Sequence, residues 1–429
     1  MSRRSGIGLA VLLVAGLSTV GGCRERAVGI SPGDSGLDGG GADAAADASL
    51  PDGGGPDAAP QGCVLQDSPT VILSEGRPAF AYSLERLSDE QYLLAGGVGW
   101  SHDLRARLFA LGGDSLAVTG WTDLDGTMAY ATLHAAQSYV VVADVSDNRT
   151  TLRWLTAPWS ATPFQELHSY LLCEDCSPFF SAPIGGETKV AVAVEHHGVN
   201  QVMLILAELH WDGQITVSVA SALPGAMPTL VPLADGLLLL YLEGGSLMAV
   251  RYDAWQVNPA FPARPVPLPG GEPAFGLSAA ATPGRDGAYA SLLFGQETPR
   301  GLMVLRLDSE ASILGAAVAE GATMYGYESS TAVSRGLVGV AWGETYGLGE
   351  VGAHAAVFTE EDLSLVFGPA RISPNINHSS SSYSVWATIA PHPEGFAEVW
   401  GSWQEDTYYG MYGMILRCAA PGPGPGSGP

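Results

Sequence analysis

The chain has 429 residues and a formal net charge of -25. The first 62 residues contribute only -3 of this charge, from seven acidic residues and four arginines, so the rest of the chain is itself strongly acidic. A surface of this sign argues against nucleic acid and anionic lipid as partners, and we expect neither.

The N-terminus carries two arginines, then an apolar run of 14 residues from Ile7 to Val20, then small residues before Cys23. This run is too short to span a bilayer and is typical of the core of a signal peptide. The segment VGGC resembles the lipobox of bacterial lipoproteins, in which the cysteine is lipidated. The resemblance implies a signal peptide at 1–22 and lipidation of Cys23. The alternative is ordinary secretion, with Cys23 unmodified.

Residues 23–62 are dominated by Gly, Ala, Asp and Pro, with almost no side chain able to build a core. Such a composition cannot offset the entropy cost of ordering, so we expect a flexible acidic tether. The tract is similar to the linkers of myxobacterial lipoproteins. Because Arg24 rather than Asp follows Cys23, the lipoprotein resemblance implies an outer-membrane lipoprotein of the cell envelope, which contacts the membrane only through its lipid.

Seven apolar runs recur along the rest of the chain, each after a turn or polar signal, and they begin at Gln91, Ser138, Lys189, Gly236, Gly287, Gly336 and Gly395. Their starts are 47, 51, 47, 51, 49 and 59 residues apart. A short segment precedes each run, a second strand-like run follows it, and a third closes the first six units. Four short strands separated by turn signals predict one antiparallel meander in each unit.

Seven four-stranded units of this length resemble the blades of a β-propeller. The resemblance covers residues 63–418 and implies an all-β, seven-bladed fold, followed by a disordered Pro/Gly tail at 419–429. Two β-sandwiches are the alternative fold, but they do not explain one spacing repeated seven times.

The seventh unit lacks its fourth strand. Propellers commonly close with an N-terminal strand, and the run TVILS after Cys63 is available for this place. The resemblance then puts Cys63 beside Cys418 at the end of the third strand. In an oxidising compartment we expect a disulfide between them. Two free thiols are the alternative.

Cys173 and Cys176 form a second pair, in the segment LLCEDCSP. A disulfide within this local segment is the favoured interpretation. A metal site would need two further ligands from His168, His196 and His197, and a redox dithiol would need a thioredoxin-like pattern that the sequence lacks.

In a propeller, the loops after the second and fourth strands share one face. Their aromatic and histidine side chains suit stacking on sugars or burial in a protein interface. These candidates for ligand binding are Trp100, His102, His196, His197, Tyr325, Tyr327, Tyr346, Trp403, Tyr408 and Tyr409. The alternative is that they cap the core of the ring. Asp123 and Asp125 only weakly suggest Ca²⁺, and we expect no other metal or cofactor.

No hydrolase elbow, metalloprotease helix or phosphate-binding glycine loop is present in the sequence. We therefore expect a monomeric, non-enzymatic lipoprotein that binds a protein or a glycan through its loops. One alternative is a propeller enzyme acting on polysaccharide as a hydrolase or lyase, which requires two convergent carboxylates, or an acid with Arg and Tyr. The acid pairs Glu360/Glu361 and Glu405/Asp406 could in principle serve, although their turn-like positions favour solvated surface charge. Another is an assembly factor of an envelope machine.

Overall fold

The computed structural model describes most of the predicted repeat region and little else of the chain. The described residues are 62–73, 79–88, 91–99, 105–124, 131–135, 139–146, 149–156, 164–183, 188–253, 259–271, 273–282, 287–294, 300–324, 329–343, 350–373, 376–377, 384–403 and 410–419. The predicted signal peptide, lipidation site, tether and most of the tail lie outside them, so those boundaries stay predictions.

All regular structure in the described segments is β-strand. Two short strands come first, β1 (Cys63–Leu65) and β2 (Thr70–Leu73). The next group comprises β3 (Ala79–Ser88), β4 (Gln91–Val98), β5 (Arg105–Gly112) and β6 (Val118–Asp123). It is followed by β7 (Ala131–Ala135), β8 (Tyr139–Ser146), β9 (Arg149–Thr156) and β10 (Glu166–Glu174). The third group comprises β11 (Cys176–Pro183), β12 (Lys189–His196), β13 (Gln201–Leu209) and β14 (Ile215–Pro224).

The second half of the chain continues in the same way. One group comprises β15 (Ala226–Pro232), β16 (Gly236–Glu243), β17 (Ser246–Asp253) and β18 (Phe261–Pro265). The next comprises β19 (Ala274–Ala280), β20 (Ala288–Phe294), β21 (Arg300–Leu307) and β22 (Ile313–Met324). Then come β23 (Ser329–Ser334), β24 (Leu337–Gly343), β25 (Glu350–Val351), β26 (Ala353–Thr359), β27 (Leu365–Arg371) and β28 (Ile376–Asn377). The last strands are β29 (Ser384–His392), β30 (Gly395–Trp403) and β31 (Gly410–Cys418).

Strands that follow one another along the chain pair antiparallel, so each group is a meander. Six sheets have the orders β3-β4-β5-β6, β10-β9-β8-β7, β11-β12-β13-β14, β15-β16-β17-β18, β19-β20-β21-β22 and β23-β24-β26-β27. A further sheet has β29, β30 and β31 in sequence, and both β1 and β2 pair with β31 as its outer strand. The short strands β25 and β28 form a separate ladder.

Neighbouring sheets contact one another through their first strands. These contacts join β3 to β7, β7 to β11, β11 to β15, β15 to β19, β19 to β23 and β23 to β29, and β29 returns to β3. Four-stranded antiparallel sheets arranged in a ring are the blades of an all-β propeller. The predicted fold class and the four-strand unit are confirmed.

The second strand of each sheet is apolar on both faces because it lies between two neighbouring sheets. In β16, Leu238 and Leu240 pack into a cluster with residues of β19 to β21, while Leu239 and Tyr241 pack into another with residues of β12 and β13. All four side chains are fully buried. Burying one such side chain contributes roughly 1.5–3 kcal/mol. This double burial explains why the central runs lack the alternating pattern of a strand with one solvent-facing side.

Glycine opens several of the second strands where the backbone of the third strand comes close. A Cβ at Gly395 would lie 2.2 Å from the carbonyl oxygen of Leu416, and one at Gly287 would lie 2.7 Å from that of Leu307. Both glycines also have positive φ angles, 147° and 137°. A side chain at either position would therefore force the hairpin apart.

The N-terminal strands close the ring, as the sequence predicted. Cys63 pairs in register with Cys418, their Cα atoms are 4.0 Å apart, and the two residues form a disulfide. Beside it, the amide of Ala419 donates a hydrogen bond to the carbonyl oxygen of Gly62 at 3.3 Å. The two ends of the propeller are thus fastened across one strand pair.

Replacing both ring-closing cysteines in the double variant C63S/C418S should lower the free energy of unfolding by at most about 5 kcal/mol, because the unfolded chain loses a very long covalent loop. Urea unfolding monitored by tryptophan fluorescence measures this loss. The control is C173S/C176S, which opens a loop of only a few residues and should cost less. Equal losses in the two double variants would contradict a special role for the terminal disulfide.

Candidate functional site

The connections after the second and fourth strands of each sheet lie at one end of the sheets, because neighbouring strands run antiparallel. We call this end the loop face. Its described connections include Asp175, the turn 197–200, Gly225 and the pair Gly244 and Gly245. Asp175 and Gly225 are single-residue connections between consecutive sheets. Around β11 and β15, these connections therefore add little chain beyond the strand ends.

Only two of the predicted ligand-binding side chains are described. His196 ends β12, and His197 begins the turn that follows. Trp403 is described only as the last backbone position of β30. Trp100, His102, Tyr325, Tyr327, Tyr346, Tyr408 and Tyr409 lie outside the described residues, so their binding role stays a prediction.

The register of β11 against β12 brings two polar residues together beside His197. Ser177 pairs with Glu195, and Cys176 pairs with His196. The amide of His197 donates to the carbonyl oxygen of Asp175 at 2.9 Å, which extends the ladder by one step and holds the histidine backbone over the pair.

The three side chains form a series of polar contacts, which we call the serine cluster. The Oγ atom of Ser177 is hydrogen-bonded to Nε2 of His197 at 2.9 Å, and Nδ1 of the same ring lies at an ion-pair distance of 3.4 Å from Oε1 of Glu195. In the tautomer that carries the ring proton on Nδ1, the N–H faces the Glu195 carboxylate, and Nε2 accepts a hydrogen bond from the Ser177 hydroxyl.

Glu195 is held in place from its other side. Its Oε2 atom accepts a hydrogen bond of 2.8 Å from the amide of Met227, at the start of β15. The next sheet also contacts this turn, since the amide of Gly225 donates to the carbonyl oxygen of Asn200 at 3.1 Å. The Glu195 side chain is 16 % exposed, the His197 side chain 53 %, and Ser177 5 %. Ser177 and Glu195 are therefore largely buried and held by the strands, whereas the imidazole ring of His197 is open to solvent.

The second cysteine pair lies directly before Ser177. Cys173 and Cys176 form a disulfide that joins the end of β10 to the start of β11, as the favoured interpretation predicted. The Thr150 hydroxyl donates to the carbonyl oxygen of Cys176 at 2.5 Å and ties this corner to β9. Among the described residues, no three His, Cys, Asp or Glu side chains group as metal ligands.

Acidic and apolar groups surround the serine cluster on the loop face. Asp175 and Glu243 are exposed beside it, whereas the neighbouring Glu174 forms an ion pair of 3.1 Å with Arg149. Val199, in the middle of the turn after His197, is 56 % exposed. This part of the loop face is a negatively charged surface with an apolar projection.

Two acids considered from the sequence have structural partners. Asp123, of the weak Ca²⁺ motif, forms an ion pair of 2.7 Å with Arg107, while Asp125 is outside the described residues. Glu360 is buried, and its Oε1 accepts a hydrogen bond from Thr282 at 2.6 Å. These contacts tie strands and sheets together.

A third carboxyl group, Glu398 in β30, is 1 % exposed. None of the described residues supplies a hydrogen-bond partner to either of its oxygens. Burial raises the pKa of Glu398 to about 8. The carboxyl group is accordingly neutral in the folded protein over most of the physiological pH range.

Only weak signals for the serine cluster are present in the sequence. His197 was a candidate because of its loop position, whereas Ser177 and Glu195 were missed because only the strand register brings them together. The one usable signal was positional. The segments CSP at 176–178 and EHH at 195–197 lie at the same end of two strands that form a hairpin.

Comparison with known proteins supports the fold alone. No family model and no curated protein matches the sequence. The WD40 domain of coronin from Toxoplasma gondii superimposes with a TM-score of 0.53 at 9 % identity, over 83 % of this chain and 86 % of that one. Hydrazine synthase from Kuenenia stuttgartiensis gives 0.51 at 7 % identity, over 79 % and 96 %. Sqt1 from Chaetomium thermophilum, solved with the N-terminus of ribosomal protein L10, gives 0.46 at 12 % identity, over 79 % and 88 %, which is too loose to support an argument.

The chain is thus an all-β propeller with four-stranded antiparallel blades, similar in fold to WD40 domains. The described segments contain no helix that could span a bilayer.

The variant E398Q tests the buried carboxyl group. The raised pKa means that the folded protein holds the proton more tightly than the unfolded chain, whose glutamate titrates near 4.5. The contribution of Glu398 to the free energy of unfolding is therefore fully present below about pH 4.5. It is lost as the pH rises towards about 8, and the loss is on the order of a few kcal/mol. Glutamine cannot ionise, so E398Q should lose less stability over this interval.

Urea unfolding at a series of pH values between 4.5 and 8.5 measures the effect. The exposed Glu361 provides the control variant E361Q, which should follow the wild-type curve. Parallel curves for E398Q and wild type would show that Glu398 does not titrate as described.

Proposed function

We propose that the protein is a propeller lipoprotein of the cell envelope that binds a protein partner at its loop face. The signal peptide at 1–22, the lipidated Cys23 and the tether at 23–62 would hold it at the outer membrane. Support for this location comes from the lipobox resemblance and from the core-poor composition of the tether.

One observation carries the choice of partner: the apolar Val199 is exposed on the same face as the acidic residues Asp175 and Glu243. An apolar contact inside a polar rim is the usual anatomy of a protein interface. Complementary charge speeds association and excludes wrong partners, so the matching surface should be basic. We therefore propose that the partner presents a basic segment with an apolar residue that packs against Val199.

The glycan alternative depends on aromatic side chains outside the described residues. For this reason we argue for a protein, and glycan binding becomes an outcome of the experiment below. A polysaccharide-active enzyme would need paired carboxylates, and the contacts of Glu360 favour a structural role for that acid.

A blade count of seven, rather than six, belongs to this proposal. It is supported by the repeat of the sequence and by the order of contacts between first strands, in which β29 meets β3. A crystal structure with six blades in the ring would contradict it.

A photo-crosslinking amino acid at position 199 should capture one dominant protein in the native envelope. The matched control is position 234, an exposed residue between β15 and β16 at the opposite end of the sheets, which should capture little. The charge reversal E243K should reduce the yield from position 199 several-fold. Equal yields from both positions would contradict the interface, and stabilisation of the protein by a polysaccharide without any protein adduct would favour a glycan.

Replacing the predicted lipidation site in the variant C23S should abolish incorporation of an alkyne-labelled fatty acid and release the protein from the membrane fraction. The double variant C63S/C418S serves as the control, because both of its cysteines lie inside the propeller and their loss should leave lipid labelling unchanged. Undiminished fatty-acid labelling of C23S would rule out Cys23 as the acylated residue.

A further inference from the structure

We propose that Ser177, His197 and Glu195 form a nucleophilic serine site that hydrolyses small acyl esters. This activity goes beyond the proposed partner binding, because it is chemistry carried out by the three side chains of the serine cluster.

The order of the contacts from serine to histidine to glutamate is the one that activates a serine. A nucleophilic hydroxyl needs a base within hydrogen-bond reach, and the base needs a third group that fixes its tautomer. His197 meets both conditions, with Nε2 2.9 Å from the Ser177 hydroxyl and Nδ1 facing the Glu195 carboxylate. The Nδ1 to Oε1 separation of 3.4 Å is long for a hydrogen bond, and catalytic contacts of this kind commonly tighten when substrate binds.

The fold positions these groups before any substrate arrives. Ser177 and Glu195 are fixed as paired residues of two strands, and the Met227 amide holds the second carboxylate oxygen. The Cys173–Cys176 disulfide restrains the backbone directly before the serine. Such rigid support keeps catalytic groups near their productive geometry.

The reaction balances with water as the only co-substrate. The Ser177 oxygen attacks the ester carbonyl carbon while His197 Nε2 takes the hydroxyl proton, and Glu195 stabilises the imidazolium. The bond from the carbonyl carbon to the alcohol oxygen then breaks, and His197 returns the proton to the departing alcohol. Water, deprotonated by the same nitrogen, then attacks the acyl-serine, the bond from the carbonyl carbon to the Ser177 oxygen breaks, and His197 returns the proton to that oxygen as the carboxylic acid leaves.

The surroundings define the substrate class. Because Ser177 is only 5 % exposed, the acyl group that reaches it must be small, such as an acetyl group. The exposed acidic residues Asp175 and Glu243 on the same face disfavour anionic substrates. A neutral short-chain ester fits both conditions.

The test uses the full-length protein and a small alkyl fluorophosphonate, with the modified residue located by peptide mass spectrometry. We expect covalent labelling at Ser177 and none at that peptide in S177A. The labelling rate should fall by roughly 100-fold in H197Q, since a positioned general base contributes about 10²–10⁴. It should fall by a smaller factor in E195Q, and p-nitrophenyl acetate hydrolysis should follow the same order.

The matched control is S334A, which removes another buried serine hydroxyl, one that donates to the carbonyl oxygen of His392 at 3.0 Å and has no such base. It should label and hydrolyse as the wild type does. Thermal melting of every variant establishes that the protein is folded. Absence of label at Ser177 in the folded wild type, or an unchanged labelling rate in folded H197Q, would overturn the proposal.

Discussion

Wherever the side chains of the second strand are described, that strand is apolar on both faces, and this one constraint governs the rest of the structure. A sheet such as β15 to β18 must be covered on two sides, since Leu238 and Leu240 face one neighbour while Leu239 and Tyr241 face the other. In a stack of such sheets the end members would expose an apolar face to water. A ring removes the ends, because every sheet then has two neighbours. The strength of the hydrophobic effect, summed over many such faces, therefore selects closure as well as the strand pairing.

Closure leaves the molecule dependent on its two chain ends. The sheet of β29 to β31 has its outer strand supplied by β1 and β2, so the first described residues complete the last sheet. A weakness at this joint would separate two apolar faces at once, those of β29 and β3. The disulfide between Cys63 and Cys418 joins β1 to β31 covalently at the position where this strand pair would open most easily.

The sequence was sufficient for features set by local pattern. Apolar runs such as those from Gln91 and Gly236 became the second strands of their sheets, and the two terminal cysteines could be paired because a ring has only one seam. The serine cluster could not be foreseen, since Ser177 and Glu195 lie 18 positions apart and meet only through the register of β11 and β12. The burial of Glu398 could not be foreseen from the sequence either, because charged side chains are rarely buried without a partner, whereas Glu398 lies on a strand covered on both faces.

The position of the seam also determines how the molecule is presented. β30 ends at the loop face and β31 runs back from it, so Cys418 lies at the opposite end of the sheets. β1 begins at Cys63, which pairs with Cys418, so it begins at that same opposite end. The first and last described residues, Gly62 and Ala419, therefore lie side by side at that end, where the amide of Ala419 donates to the carbonyl oxygen of Gly62. The serine cluster and Val199 lie at the other end, so the joint that closes the ring takes no part in the surface proposed to bind.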